Sequence, residues 1–230
     1  MANILKRLFG KRETNVYFIS GMCYNCSVFD RLALPKGFKR NYIEWLIPTE
    51  DETLRSYAKR MARCINTRKP FILVGYSFGA VIMQEMVRFL YPEKCIIISS
   101  FKNKDEIPAL FSMVRHTKLA EHMPKKLFEQ TQFITNAFNR LVYNTGSDEL
   151  SEYLTVTDPA YVQWAVEQIT NWVPKYRTPN LYHIHGTEDQ VFPFKHIKDV
   201  MPVEGGDHLM LVKKADTVSA LLDSILLMKE

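Results

Sequence analysis

The run Phe71-Ile72-Leu73-Val74-Gly75-Tyr76-Ser77-Phe78-Gly79, continued by Met83, Met86, Val87 and Leu90 at helical spacing, constrains this chain more than any other feature. Four consecutive apolar residues suit a central strand covered on both faces. The spacing that follows suits a helix, which ends before Pro92. The strand passes into the helix through a turn held between two glycines. Without a Cβ at those positions, strand and helix can approach closely. A junction of this kind implies a sheet with helices packed on it.

The rest of the chain repeats the alternation. Val16 to Ser20 reads as a buried strand stopped by Gly21, and Tyr42 to Ile47 as a second strand ended by Pro48. Thr49 and Glu52 have capping-box spacing ahead of a helix lined by Leu54, Tyr57, Ala58, Met61 and Ile65. Cys95 to Ser99, Leu181 to His185 and Val200 to Val203 read as further strands, and an amphipathic helix through Val218, Leu221, Leu222 and Ile225 ends the chain. Between about Lys104 and Thr178 the pattern is helical. Leu127, Phe128, Phe133, Ile134, Ala137, Phe138 and Leu141 share a period, with Gly146 as a stop. Asp158-Pro159 opens a helix carrying Val162, Val166, Ile169 and Val173, closed by Pro174. The expected fold is α/β: a mostly parallel sheet with helices on both faces. Residues 1–103 and 179–230 form its core, and 104–178 are expected to be an inserted helical lid.

Composition narrows the function classes. At 230 residues and 47% hydrophobic, the chain suits one globular unit with a sizeable core. Thirty basic residues face 25 acidic ones, a net charge of +5. The two signs are interleaved without a basic stripe, so no nucleic-acid partner is expected. Residues 1–12 are basic and lack the apolar stretch of a signal peptide, and no run reaches membrane-spanning length. Stable membrane association is therefore not expected, and a cytoplasmic location is. Cys64 and Cys95 read as small buried apolar residues. Cys23 and Cys26 form a lone Cys-x-x-Cys without a second ligand pair, so neither metal nor cofactor is expected. The expected partner is a small-molecule substrate; the oligomeric state is open.

Gly75-Tyr76-Ser77-Phe78-Gly79 fits Gly-x-Ser-x-Gly, a turn that presents its serine between strand and helix. Ser77 is the candidate nucleophile. The helix start behind it offers backbone N–H groups to developing negative charge. Its candidate base is His208, which follows Glu204-Gly205-Gly206-Asp207 in a loop after a strand, at the carboxyl edge of the sheet where ligands collect. His183 and His185 alternate on a strand and read as core histidines, His116 and His122 fall in the lid, and His196 reads as surface. The base needs a carboxylate to fix its tautomer and steady its cation. Asp189, just past a strand end, is preferred to its neighbour Glu188, to Asp105 among lysines, and to Asp207, which is too close to His208 in sequence. For the oxyanion, one donor is the N–H of Phe78. The other comes from Ser20-Gly21-Met22-Cys23, with Met22 first and Cys23 in reserve.

With these motifs in the order Ser, Asp, His, the chain resembles the α/β-hydrolase superfamily, close to small bacterial hydrolases of the esterase and lipase-like type. The likeness covers nearly the whole chain outside the lid. It departs at the oxyanion loop, where the family's His-Gly is Ser20-Gly21 here. The first strands of larger members are missing, which implies a sheet of about six strands. The resemblance implies hydrolysis of a carboxylic ester, thioester or amide with an apolar part, through an acyl-enzyme. Carbon–carbon hydrolysis, acyltransfer, cofactor-free haloperoxidase chemistry and slow-turnover ligand reception share the same scaffold. Dehalogenases and epoxide hydrolases are disfavoured, since the resemblance there would place Asp at position 77.

Overall fold

The computed structural model describes residues 13–108 and 152–228. Its strands are β1 (Thr14–Ile19), β2 (Phe38–Tyr42), β3 (Phe71–Tyr76), β4 (Lys94–Ile98), β5 (Leu181–Gly186) and β6 (Met201–Val203). They form one six-stranded sheet in the order β2-β1-β3-β4-β5-β6. Every neighbouring pair is parallel.

The period of two along each strand divides the interior into two cores. Val16, Phe18, Ile72, Val74, Ile96, Ile98 and Ile184 point to one face, which is covered by α4 (Met210–Lys213) and α5 (Ala215–Leu227). Tyr17, Ile19, Leu73, Cys95 and Ile97 point to the other, under α1 (Leu54–Met61), α2 (Phe78–Met86) and α3 (Pro159–Asn171). All nine residues of α2 are buried; seven are apolar or glycine, while Gln84 donates to Phe101 O and Glu85 accepts from Trp172 Nε1. The fold is thus the mostly parallel sheet with helices on both faces that the alternation predicts.

The second strand is a correction. Pairing to β1 runs through Phe38 to Tyr42, and the strand expected at Tyr42 to Ile47 does not form beyond its first residue. After Ile43, whose N–H donates to Phe18 O at 2.9 Å, the chain leaves the sheet. Trp45 donates through Nε1 to Gly21 O and Tyr24 O, and the N–H of Leu46 donates to the hydroxyl of Tyr57. The true strand, Phe-Lys-Arg-Asn-Tyr, lies at the sheet edge and is largely half-buried, so it carries no apolar run.

Smaller corrections follow from local hydrogen bonding. The N-cap of α1 is Thr53, whose hydroxyl accepts from Ser56 N at 3.2 Å. Glu52 does accept from the N–H of Thr49, but its carboxylate mainly grips Arg60 through Nε at 2.8 Å and Nη2 at 2.7 Å. Cys64 is exposed, not buried. Asp158 caps α3 as expected, accepting from Ala160 N and Tyr161 N, but the helix ends at Asn171. Within the expected lid, residues 109–151 lie outside the described residues, and with them Leu127, Phe128, Phe133, Ile134, Ala137, Phe138, Leu141, Gly146, His116 and His122. No helix among the described residues is long and apolar enough to cross a membrane.

Candidate active site

Ser77 sits at the junction of β3 and α2 with φ 51° and ψ −118°, a conformation that side-chain-bearing residues rarely adopt. Strain of this kind costs about 1–3 kcal/mol and persists only where the surroundings impose it. Here they do. The N–H of Ser77 donates to Ile98 O at 3.0 Å, and the hydroxyl of Ser100 donates to Ser77 O at 2.9 Å, so the end of β4 and the bend after it hold both sides of the residue. The flanking glycines are required by contact: a Cβ on Gly75 would lie 2.5 Å from Ala80 Cα, and one on Gly79 would lie 2.2 Å from Ile19 O. Phe78 opens α2, so its N–H has no acceptor within the helix.

His208 and Asp189 come from the loops after β6 and β5. Backbone bonds stitch these loops together: Thr187 N to Val203 O at 3.1 Å and Glu188 N to Gly206 O at 2.9 Å. The result brings the three predicted residues into line. His208 Nε2 is 3.0 Å from Ser77 Oγ, and His208 Nδ1 is 2.9 Å from Asp189 Oδ2. All three side chains belong to buried residues. The second oxygen of Asp189 accepts from Val191 N at 2.8 Å and Phe192 N at 2.9 Å. Burial alone would raise the Asp189 carboxyl. The nearby His208, its hydrogen bond and His185 outweigh burial and hold the carboxyl below its ordinary value. The rival acids are elsewhere: Glu188 and Asp105 are exposed, and Asp207 accepts from Leu209 N and Lys213 Nζ.

Met22 lies three residues past the end of β1, beside the elbow formed by Gly75 to Gly79. A Cβ on Gly21 would lie 3.4 Å from Ser77 Cβ. The carbonyl of Gly21 accepts from Trp45 Nε1 and from the N–H of Tyr24, both at 3.1 Å. In a trans peptide the N–H points opposite to the carbonyl, so the N–H of Met22 faces away from Trp45.

Sequence reasoning missed several residues that shape this site. The hydroxyl of Tyr76 donates to His208 O at 3.0 Å, and its ring lies 5.4 Å from the imidazole. Phe192 flanks the same imidazole at 5.6 Å. Trp45 stacks on Phe78 at 5.4 Å with 12° between the planes, and Tyr161 packs tilted against Trp45 at 5.3 Å. No pattern of spacing singles these aromatics out. Cys23 and Cys26 are buried free thiols, both pushed up to about 12 chiefly by burial. Among the described residues no cluster of His, Cys, Asp or Glu has the arrangement of a metal site. A cavity of about 400 Å³ lined by Arg55, Gln84, Val87, Arg88 and Tyr176 lies toward the far end of α2. Gln84 is seven residues beyond Ser77, roughly 10 Å along the helix, so this cavity is separate from the serine.

Neither a protein-family model nor a curated protein sequence matches the chain. Solved structures do. The enol-lactonase from Burkholderia xenovorans superposes with a TM-score of 0.70 at 14% identity, covering 94% of this chain and 92% of its own. A bromoperoxidase from Bacillus anthracis gives 0.68 at 12% identity, over 93% and 91%. A thermophilic esterase from Thermogutta terrifontis gives 0.67 at 14% identity, over 93% and 89%. The chain has the α/β-hydrolase fold.

Proposed function

We propose that this chain is a serine hydrolase that cleaves a carboxylic ester of a small molecule with an apolar part, through an acyl-enzyme. The observation that carries the reading is the unbroken series of hydrogen-bonding distances from Ser77 Oγ through His208 to Asp189. Ser77 Oγ attacks the carbonyl carbon while His208 Nε2 takes its proton. Asp189 holds the Nδ1–H tautomer and steadies the imidazolium. The N–H groups of Phe78 and Met22 receive the developing oxyanion, each worth on the order of 3 kcal/mol. His208 then gives its proton to the departing alkoxide. Water, deprotonated by the same nitrogen, releases the acid.

Two further observations support the substrate class. Trp45, stacked on Phe78, and Tyr161, tilted against Trp45, give the elbow apolar surroundings that suit an apolar group. The structures of like fold include an esterase and an enol-lactonase. The test is labelling with a fluorophosphonate, followed by turnover of nitrophenyl esters of rising chain length. Labelling at Ser77 that vanishes in Ser77→Ala, with length-dependent turnover, is expected. Labelling that survives Ser77→Ala would assign the nucleophile elsewhere, and an unlabelled native protein would sink the reading.

A further inference from the structure

Behind Asp189 lies a second buried line of polar groups that the proposed chemistry does not use. β5 carries His183 and His185 at alternate positions, both buried. His185 Nε2 is 2.8 Å from Phe192 O, and His185 Nδ1 is 3.2 Å from His183 Nε2. His183 Nδ1 is 3.3 Å from Lys102 Nζ. Lys102 Nζ also donates to Glu106 Oε1 at 3.1 Å and to the carbonyl of Lys198. Its three N–H groups therefore meet three acceptors.

The two ends fix the direction of every bond between them. A carbonyl oxygen only accepts, so His185 Nε2 must carry a proton. An ammonium only donates, so His183 Nδ1 must be bare. Neutral His183 then carries its proton on Nε2 and donates to a bare Nδ1 of His185. Both rings are neutral Nε2–H tautomers. Burial disfavours the cation in each ring and is the main cause of their lowered proton affinity. The other charged or titratable groups that face the pair are Lys102, Glu106, Asp189 and His208.

The line ends on the acid loop. Phe192, whose carbonyl accepts from His185, donates its N–H to Asp189 Oδ1 and lays its ring against His208. The same Nε2–H edge of His185 faces Asp189 Oδ2 at 3.6 Å, as a fixed dipole and not a hydrogen bond. We propose that His185, oriented by His183 and Lys102, is a positioning residue that locks Phe192 and thereby holds Asp189 in register with His208. This inference rests on the serine-hydrolase reading above.

Two variants separate positioning from packing. His185→Phe keeps a flat ring of similar volume but removes the donor, whereas His185→Gln keeps an N–H near the position of Nε2. If the N–H positions the acid, fluorophosphonate labelling of Ser77 slows at least about tenfold in His185→Phe and returns to within about threefold in His185→Gln. The opposite order, or equal rates in both, would overturn the role. Nitrogen NMR of the imidazoles gives a readout independent of activity and of core substitutions. Neutral Nε2–H tautomers are expected for His183 and His185 from pH 6 to 8, with mixed tautomers in Lys102→Met. An imidazolium or an Nδ1–H form at either ring in the native protein would overturn the chain of donors. If the native protein is not labelled at all, the hydrolase reading fails and takes the positioning role with it, while the NMR pattern still decides the hydrogen bonding.

Discussion

Gly79 and Ile19 are in direct backbone contact: a methyl group on the glycine would stand 2.2 Å from the carbonyl oxygen of the isoleucine. The first turn of α2 therefore rests on the last residue of β1, with no side chain between them. Gly79→Ala must push the helix away from the strand. A loss of about 2–3 kcal/mol in urea unfolding is expected, the usual cost of forcing atoms into a packed interior. The labelling rate at Ser77 should fall with it, because the displaced helix carries Phe78.

The positive φ of Ser77 predicts an unusual order of stabilities. Ser77→Gly and Ser77→Ala both remove the hydroxyl, but only glycine adopts φ 51° without penalty. Ser77→Gly is expected to be more stable than Ser77→Ala by about 1 kcal/mol in denaturant midpoints, net of glycine's greater freedom when unfolded. Equal stability would mean that the turn stores no strain.

Asp189→Asn keeps the acceptor for Val191 and Phe192 but can turn an amide N–H toward His208 Nδ1. The imidazole is then favoured in the tautomer that cannot accept the proton of Ser77. Labelling is expected to slow by about 10³–10⁴. Circular dichroism and the thermal midpoint should change far less than the rate.

Trp45 fixes the loop from Gly21 to Tyr24 through two hydrogen bonds from one N–H, to Gly21 O and Tyr24 O. Trp45→Phe preserves most of the stack on Phe78 and removes both bonds. The expected result is a fall in kcat of about tenfold with little change in KM, since the proposed Met22 donor would be loosened only where transition-state charge develops. A change confined to KM would place Trp45 in substrate binding instead.

His183 and His185 make stability depend on acid. Both have lowered proton affinity in the fold, relative to about 6.5 when unfolded. The folded state therefore binds fewer protons than the unfolded state below pH 6.5. Their contribution is fully present above that pH and is lost as pH falls through the folded values. Urea midpoints measured from pH 8 down to 5 should stay level and then drop, with a slope reduced in His183→Gln. A midpoint independent of pH between 6.5 and 5 would mean that the rings are not held neutral.

Much of this was legible because the elbow dictates its own surroundings. An apolar strand, a turn between glycines and a buried helix leave one place for Ser77, and the loops that follow β5 and β6 then bring Asp189 and His208 to the same sheet edge. Edge strand β2 was not legible, since Lys39, Arg40 and Asn41 show no alternation that a half-solvated strand needs to display. Trp45 was mistaken for a strand residue because its role depends on two carbonyls more than twenty positions earlier in the chain. His183 and His185 were recognised as core histidines. Their link to the acid loop depends on Lys102 and Phe192, which only the folded sheet brings together.

The parallel order of the sheet has a kinetic consequence. Ser77 is held by Ile98 at the end of β4 and by Ser100 just beyond it, while Gly79 rests on Ile19 from β1, so the elbow is complete only when three strands separated in sequence have docked. Contacts of that range form slowly, after the loops between them have closed. A fluorophosphonate added during refolding would therefore act as a clock: the labelled fraction should rise with the slowest assembly of β1, β3 and β4, and not with the earlier appearance of helix.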